Sequence, residues 1–248
     1  MKRPIIAIPI ILFGILLIYL LLAYNSIYYR IGSSNIPILK VEAMYNFNEN
    51  QEGPAIKIAT LGDSLTYGQG ASDFTESYPY LLAKNLAGEK QAVSLSPFAF
   101  PGAMTSDLID NFLDQAVAFQ PDIATILIGV NDMHNHVSLP DFKKNYQKII
   151  SALKKNPQTK IYLISMPFIG DKFLMLPPYQ KHFLNETEKY NEVIKTLAQE
   201  NQVEYLDITT DTTELFKKSG NHYSLDHFHP SAVGYKIFAQ LIYASINQ

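Results

Sequence analysis

The stretch Ala55-Ile56-Lys57-Ile58-Ala59-Thr60-Leu61-Gly62-Asp63-Ser64-Leu65-Thr66-Tyr67-Gly68-Gln69-Gly70-Ala71 decides how this chain is read. It opens as an apolar run of strand length and breaks into a turn with Ser64 at the tip and glycines on both sides. A buried strand ending in such a turn is how an α/β protein exposes a nucleophile. A serine hydroxyl has little nucleophilicity until a base takes its proton. The turn therefore demands a histidine, a group to orient it, and donors for an oxyanion elsewhere in the chain. Taken alone, Ser64 is equally well read as a helix N-cap.

Outward from this stretch, short β-branched runs alternate with amphipathic ones. The pattern predicts strands at 55–61, 92–96, 122–128, 160–166 and 203–206, and helices near 76–88, 104–118, 140–155, 184–201 and 231–246. Strands that are apolar almost throughout, separated by helices, belong to a parallel sheet covered on both faces. With right-handed crossovers the simplest arrangement is a three-layer α/β/α sandwich around a five-stranded parallel, flavodoxin-like sheet. In such sheets the working site lies at the carboxyl ends of the strands, and Ser64 stands at one.

Three further motifs fall at comparable places. Gly129-Val130-Asn131-Asp132 follows the run 122–128, where the Asn131 amide is a neutral donor suited to an oxyanion, or the start of an Asx-turn. Pro101-Gly102-Ala103 follows the second strand, and a glycine there lets a backbone N–H approach a ligand. Asp226-His227-Phe228-His229-Pro230 precedes the last helix. Its spacing lets Asp226 hold one ring nitrogen of His229 while the other faces a serine. His227-x-His229 is also the start of a metal pair, but no third ligand stands at a supporting spacing. His134 and His136 read as exposed or rim residues of a polar loop, and His182 and His222 carry no pattern.

The N-terminus is different in kind. Residues 5–24 read IIAIPIILFGILLIYLLLAY without a charge, long enough to cross about 30 Å of hydrocarbon. The expectation is an uncleaved anchor in residues 1–24, a juxtamembrane stalk at 25–53 and a catalytic-type domain at 54–248. Lys2 and Arg3 precede the span and Arg30 alone follows closely, which puts the N-terminus inside and the body outside. The chain has no Cys, so disulfides and thiolate metal sites are excluded. Of 20 Lys and Arg against 23 Asp and Glu, those three basic residues lie in or beside the span; the body is left mildly acidic, which disfavours nucleic acid as a partner.

Together the four motifs resemble those of the SGNH (GDSL-type) hydrolase family of esterases and lipases. The matching residues are Gly62-Asp63-Ser64-Leu65, Gly102, Gly129-x-Asn131-Asp132 and Asp226-x-x-His229-Pro230, over about residues 55–246. Tyr190-Asn191 and Gly234-Tyr235 are also similar to the family. One departure is that the family commonly carries Asn ahead of its second-block glycine, where this chain reads Ser94-Leu95-Ser96-Pro97-Phe98-Ala99-Phe100-Pro101.

The resemblance implies Ser64 as nucleophile, His229 as general base and Asp226 as its orienting acid. It implies an oxyanion hole from the N–H groups of Ser64 and Gly102 and the Asn131 amide, with no metal or cofactor. Asp63 and Asp132 are expected to tie backbone N–H groups. The expected reaction is hydrolysis of carboxylic esters, either lipid or other acyl esters near the bilayer or O-acetyl groups of envelope polysaccharide. The loop 167–183, with Phe173, Leu174, Met175 and Leu176 reading as exposed, suggests a lid or an acyl-binding wall, or equally a segment packed against the sheet edge or the membrane. A non-catalytic tethered binding module is the rival reading. A flavodoxin-like nucleotide binder is disfavoured because no phosphate-cradling glycine motif is present.

Overall fold

The computed structural model describes residues 7–34, 36–51, 53–88, 90–168, 170–171, 174–218 and 220–247. Ile5, Ile6, Lys2, Arg3 and Phe173 lie outside these residues. The central strand, β2 (Ile56–Gly62), is buried from Ile58 onward, as a strand covered on both faces must be. Parallel to it run β3 (Val93–Ala99), β4 (Ile123–Leu127), β5 (Lys160–Ile164) and β6 (Glu204–Leu206). In space the order is β3-β2-β4-β5-β6, the flavodoxin-like order, and a sixth strand, β1 (Tyr45–Phe47), lies antiparallel on the outer edge of β3.

The expected five-stranded parallel sheet is therefore present with one added edge. β1 comes from the segment read as a stalk. It is three residues long, too short for the alternation of Tyr45-Asn46-Phe47 to announce it. Tyr45 stacks on Phe74, with ring centroids 4.8 Å apart. Leu39 from the same segment is buried, and its carbonyl accepts from the Tyr67 hydroxyl at 2.6 Å.

One helical layer holds α3 (Tyr78–Ala87), α9 (Thr209–Lys218) and α10 (Ala232–Ile246); the other holds α4 (Thr105–Asn111), α5 (Leu113–Ala118), α7 (Leu139–Leu153) and α8 (Tyr179–Asn201). The helix expected at 104–118 is thus two, divided at Phe112. Two short helices, α2 (Ser64–Tyr67) and α6 (Val130–His134), begin where β2 and β4 end.

The N-terminal helix α1 runs from Ala7 to Ser33, well past the apolar run. It is long and apolar enough to cross a membrane, and its first half exposes Ile8, Leu12, Phe13 and Leu16. Its second half packs on the body: Ala23 and Ile27 are buried in the core.

The register of the sheet sets up the site. Gly62 pairs with Leu127 on one side and with Ala99 on the other, so three strands end level. A Cβ on Gly62 would lie 2.0 Å from the Thr66 Oγ1 and 2.3 Å from the Leu127 carbonyl oxygen, so only glycine lets the chain turn here. Gly62→Ala is expected to cost about 1–3 kcal/mol by overpacking and to lower the Tm by several degrees in a thermal melt, since about 2–4 °C follows each kcal/mol at this size. An unchanged Tm would mean that the strand ends are not so tightly aligned.

Candidate active site

Ser64 is the first residue of α2, and Asp63 caps that helix by accepting the Leu65 N–H on Oδ1 at 2.9 Å. As the first helical residue, Ser64 has an N–H with no acceptor inside the helix. Its hydroxyl meets the His229 Nε2 at 2.9 Å, and the Nδ1 of the same ring meets the Asp226 Oδ2 at 2.5 Å. The spacing predicted from sequence thus becomes a single hydrogen-bonded line. Ser64, His229 and Asp226 are 7%, 4% and 1% exposed.

The loop carrying His229 is held by Asp226 itself. Its Oδ1 accepts from the N–H groups of Phe228 and His229, both at 2.9 Å, and from the Ser224 hydroxyl at 2.6 Å. Burial alone would raise this carboxyl. The hydrogen bonds from His229, Ser224 and Phe228, with the attraction of the His229 ring, outweigh it and hold the group below its ordinary value. The serine loop and the histidine loop touch directly at Gly70, where a Cβ would lie 2.4 Å from the Pro230 carbonyl oxygen and 2.9 Å from the His229 Cβ. Behind them the Tyr235 hydroxyl donates to the Gln69 carbonyl at 2.6 Å.

Asn131 follows β4 on α6, and its amide donates to the Ala103 carbonyl at 3.0 Å. An amide nitrogen has two protons, so this bond orients the group and leaves the second N–H available. Gly102 lies in the exposed turn after β3, next to that carbonyl. The turn is secured from below by Asp132, which accepts the Thr105 N–H at 2.9 Å and the Thr105 hydroxyl at 2.5 Å. Asp63 and Asp132 therefore both bind backbone N–H groups. Tyr190 donates to the Val137 carbonyl, and Asn191 bonds both the N–H and the carbonyl of Met166 at the end of β5.

Other expectations resolve differently. Leu174 and Met175 are buried, not exposed, because Asp171 starts a tight turn that folds them inward: its Oδ1 accepts the Leu174 N–H at 3.0 Å and its carbonyl accepts the Met175 N–H at 2.9 Å. His136 is exposed, but His134 is wedged between Phe183 and Phe228, with centroids 4.7 and 5.9 Å away. Burial, with a smaller repulsion from His136, pushes His134 down to about 4, so it is neutral at ordinary pH. His182 is exposed, and His222 stacks on Phe216.

His227 does not join His229. Its Nδ1 meets the Asp171 Oδ2 at 2.8 Å, and its carbonyl accepts the Asp171 N–H at 2.9 Å. The residue sits at φ 60°, a left-handed conformation that costs a non-glycine side chain energy. Nothing in the sequence pointed to Asp171 or Ser224 as supports. Among the described residues no three His, Asp or Glu side chains are grouped as metal ligands. A groove of about 820 Å³ lies at the far end of the sheet by Lys154, Lys160 and Gln202, away from this constellation.

A serine, a histidine and an aspartate in one hydrogen-bonded line, at the carboxyl ends of a doubly wound sheet, have the geometry of a serine hydrolase. The chain belongs to the GDSL-like Lipase/Acylhydrolase family, whose sequence profile matches residues 60–237, and it is a carboxylic ester hydrolase. The uncharacterized protein YpmR of Bacillus subtilis (strain 168) is 26% identical over 240 residues, 84% of this chain and 88% of that protein. An acetylxylan esterase of Geobacillus stearothermophilus is 26% identical over 145 residues, 56% of this chain and 65% of the relative. The crystal structure of a lipase/acylhydrolase from Enterococcus faecalis superposes with a TM-score of 0.63 at 21% identity, over 77% of this chain and 94% of that one, a likeness of fold.

Asp63 supplies a test of the site's electrostatics. Burial, opposed by the Leu65 N–H and reinforced by Asp132, raises its carboxyl from 3.8 to about 7, and its Oδ2 has no partner. A carboxyl raised in the fold adds stability at low pH that is lost as pH climbs through the folded value. Asn at this position keeps the Oδ1 acceptor and cannot ionise. Asp63→Asn is therefore expected to lose less stability than the unmutated protein between about pH 4 and pH 7, read as urea midpoints across that window. Parallel pH profiles would place the ionisation elsewhere.

Proposed function

We propose that the protein is a membrane-anchored serine esterase that cleaves acyl esters through an acyl-enzyme on Ser64, outside the cytoplasmic membrane. The observation that carries this reading is the approach of the His229 Nε2 to the Ser64 hydroxyl with Asp226 on the opposite ring nitrogen. In the reaction His229 takes the hydroxyl proton as the oxygen attacks the ester carbonyl. The same proton passes to the departing alcohol. Asp226 keeps the ring in the tautomer that presents a bare Nε2 and stabilises the imidazolium.

The oxyanion falls to the Ser64 N–H, the Gly102 N–H and the second amide proton of Asn131. These groups follow β2, β3 and β4, whose ends are level. Water then repeats the sequence against the acyl-enzyme. These residues need no metal or cofactor for either half-reaction. The domain from residue 54 carries the chemistry, and the helix before it is the anchor, with lipid or other acyl esters near the bilayer as substrates. A second reading, O-acetyl groups of envelope polysaccharide, is favoured by the similarity to the acetylxylan esterase.

In the detergent-solubilised full chain, Ser64→Ala is expected to abolish turnover of p-nitrophenyl esters and labelling by a fluorophosphonate. Turnover equal to that of the unmutated protein would sink the assignment. Asn131→Ala is expected to lower kcat by about 10²–10³ with a smaller change in KM, the cost of one oxyanion donor. A loss confined to KM would give Asn131 a role in binding only. A panel of acyl chain lengths and acetylated glycans separates the two substrate readings.

A further inference from the structure

The contacts between α1 and the body say where the body sits. The Tyr19 hydroxyl donates to the Pro177 carbonyl at 3.0 Å, and the Tyr179 hydroxyl donates to the Leu20 carbonyl at 2.9 Å. Tyr24 packs against Tyr28 and Tyr179, with ring centroids 5.3 and 5.5 Å away. Tyr19 and Leu20 lie inside the uncharged run, a full turn before it ends.

Length decides what this means. If everything the body touches from Tyr19 onward stood clear of the hydrocarbon, only residues 5–18 would remain to cross it. Even a complete helix of that length would span only about 21 Å at 1.5 Å per residue, against about 30 Å of hydrocarbon. A body held away from the bilayer by a stalk is therefore incompatible with these contacts. The turn at 177–179 has to lie at headgroup depth. Its composition suits that place: exposed Pro177 and Pro178, the amphipathic rings of Tyr19, Tyr24, Tyr28 and Tyr179, and the cations Arg30 and Lys181 just beyond.

The constellation around Ser64 is close by. Tyr28 meets His134 edge-on at 6.2 Å between centroids, His134 meets Phe228 at 5.9 Å, and Phe228 meets His229 edge-on at 5.0 Å. Two side chains, both uncharged at neutral pH, separate the anchor helix from the base.

We infer that the turn at 177–179 and the tyrosines of α1 form a seating surface for the outer leaflet, holding the Ser64 site against the membrane so that it works on acyl esters resident in that leaflet. The choice of substrate rests on the esterase reading above; the seating does not. A seated body gives the ester bond of a membrane lipid a short path to Ser64 and a polymer chain in bulk water a longer one.

The chain has no tryptophan, so a single introduced one reports alone. The full chain carrying Pro177→Trp is reconstituted into phosphatidylcholine–phosphatidylglycerol vesicles, with and without lipids brominated on the acyl chain near the headgroup. Strong quenching by the brominated lipid is expected for Pro177→Trp. None is expected for Gln158→Trp, at the exposed amino end of β5. Equal weak quenching at both positions, or failure of the chain to enter vesicles, would overturn the seating.

In the same vesicles, Tyr179→Ala is expected to slow hydrolysis of a long-chain acyl ester embedded in the bilayer by fivefold or more, with p-nitrophenyl acetate turnover unchanged. Equal effects on both esters would overturn the link between seating and substrate. Quenching of Pro177→Trp in a chain inert to every ester upholds the seating and removes only the hydrolase reading.

Discussion

The level ending of β2, β3 and β4 is the constraint from which the rest of the site follows. A parallel sheet leaves little freedom here, because each strand's pairing sets where the next one stops. Gly62 is the residue that makes the alignment possible, with the Leu127 carbonyl close on one side and Thr66 folded back over it. Once these ends coincide, residues 64, 102 and 131 each follow one of three level strand ends although they are far apart in sequence. The order β3-β2-β4 also places the switch in winding direction between β2 and β4, where a doubly wound sheet opens a crevice.

Two buried carboxyls in this region are driven in opposite directions, and the count of donors separates them. Asp226 receives two backbone N–H groups, a serine hydroxyl and the His229 ring, which together overcome its burial. Asp63 is equally buried but has one oxygen without a partner. The first is kept ionised, as a partner for an imidazolium must be. The second is pushed up to about 7, so it is only partly ionised at neutral pH, which reduces negative charge beside the place where an oxyanion would form.

Much of this was legible in the sequence because it is encoded locally. Five strands of the sheet are short runs rich in apolar and β-branched residues between helical stretches, and Asp226 and His229 are three residues apart within one turn. What escaped depends on contacts across the chain. The edge strand β1 has three residues and exists because β3 offers it an unpaired edge. Residues 25–33 are polar and tyrosine-rich, so they read as a stalk, yet they are helical because Ile27 and Tyr24 have the body to pack on. Leu174 and Met175 look exposed in a proline-rich loop until Asp171 turns them inward. The partnership of Asp171 with His227 bridges 56 residues and leaves no periodic trace.

Ile27 has no exposed surface, and this bears on how the chain is made. It belongs to α1, yet the neighbouring Tyr24 and Tyr28 pack against Tyr179 and His134, which come from α8 and α6 more than a hundred residues later. Part of the interior is thus made well before the residues that cover it. The helix is then a template on which the later half of the protein closes, and a body released from it would be missing a piece of its own core.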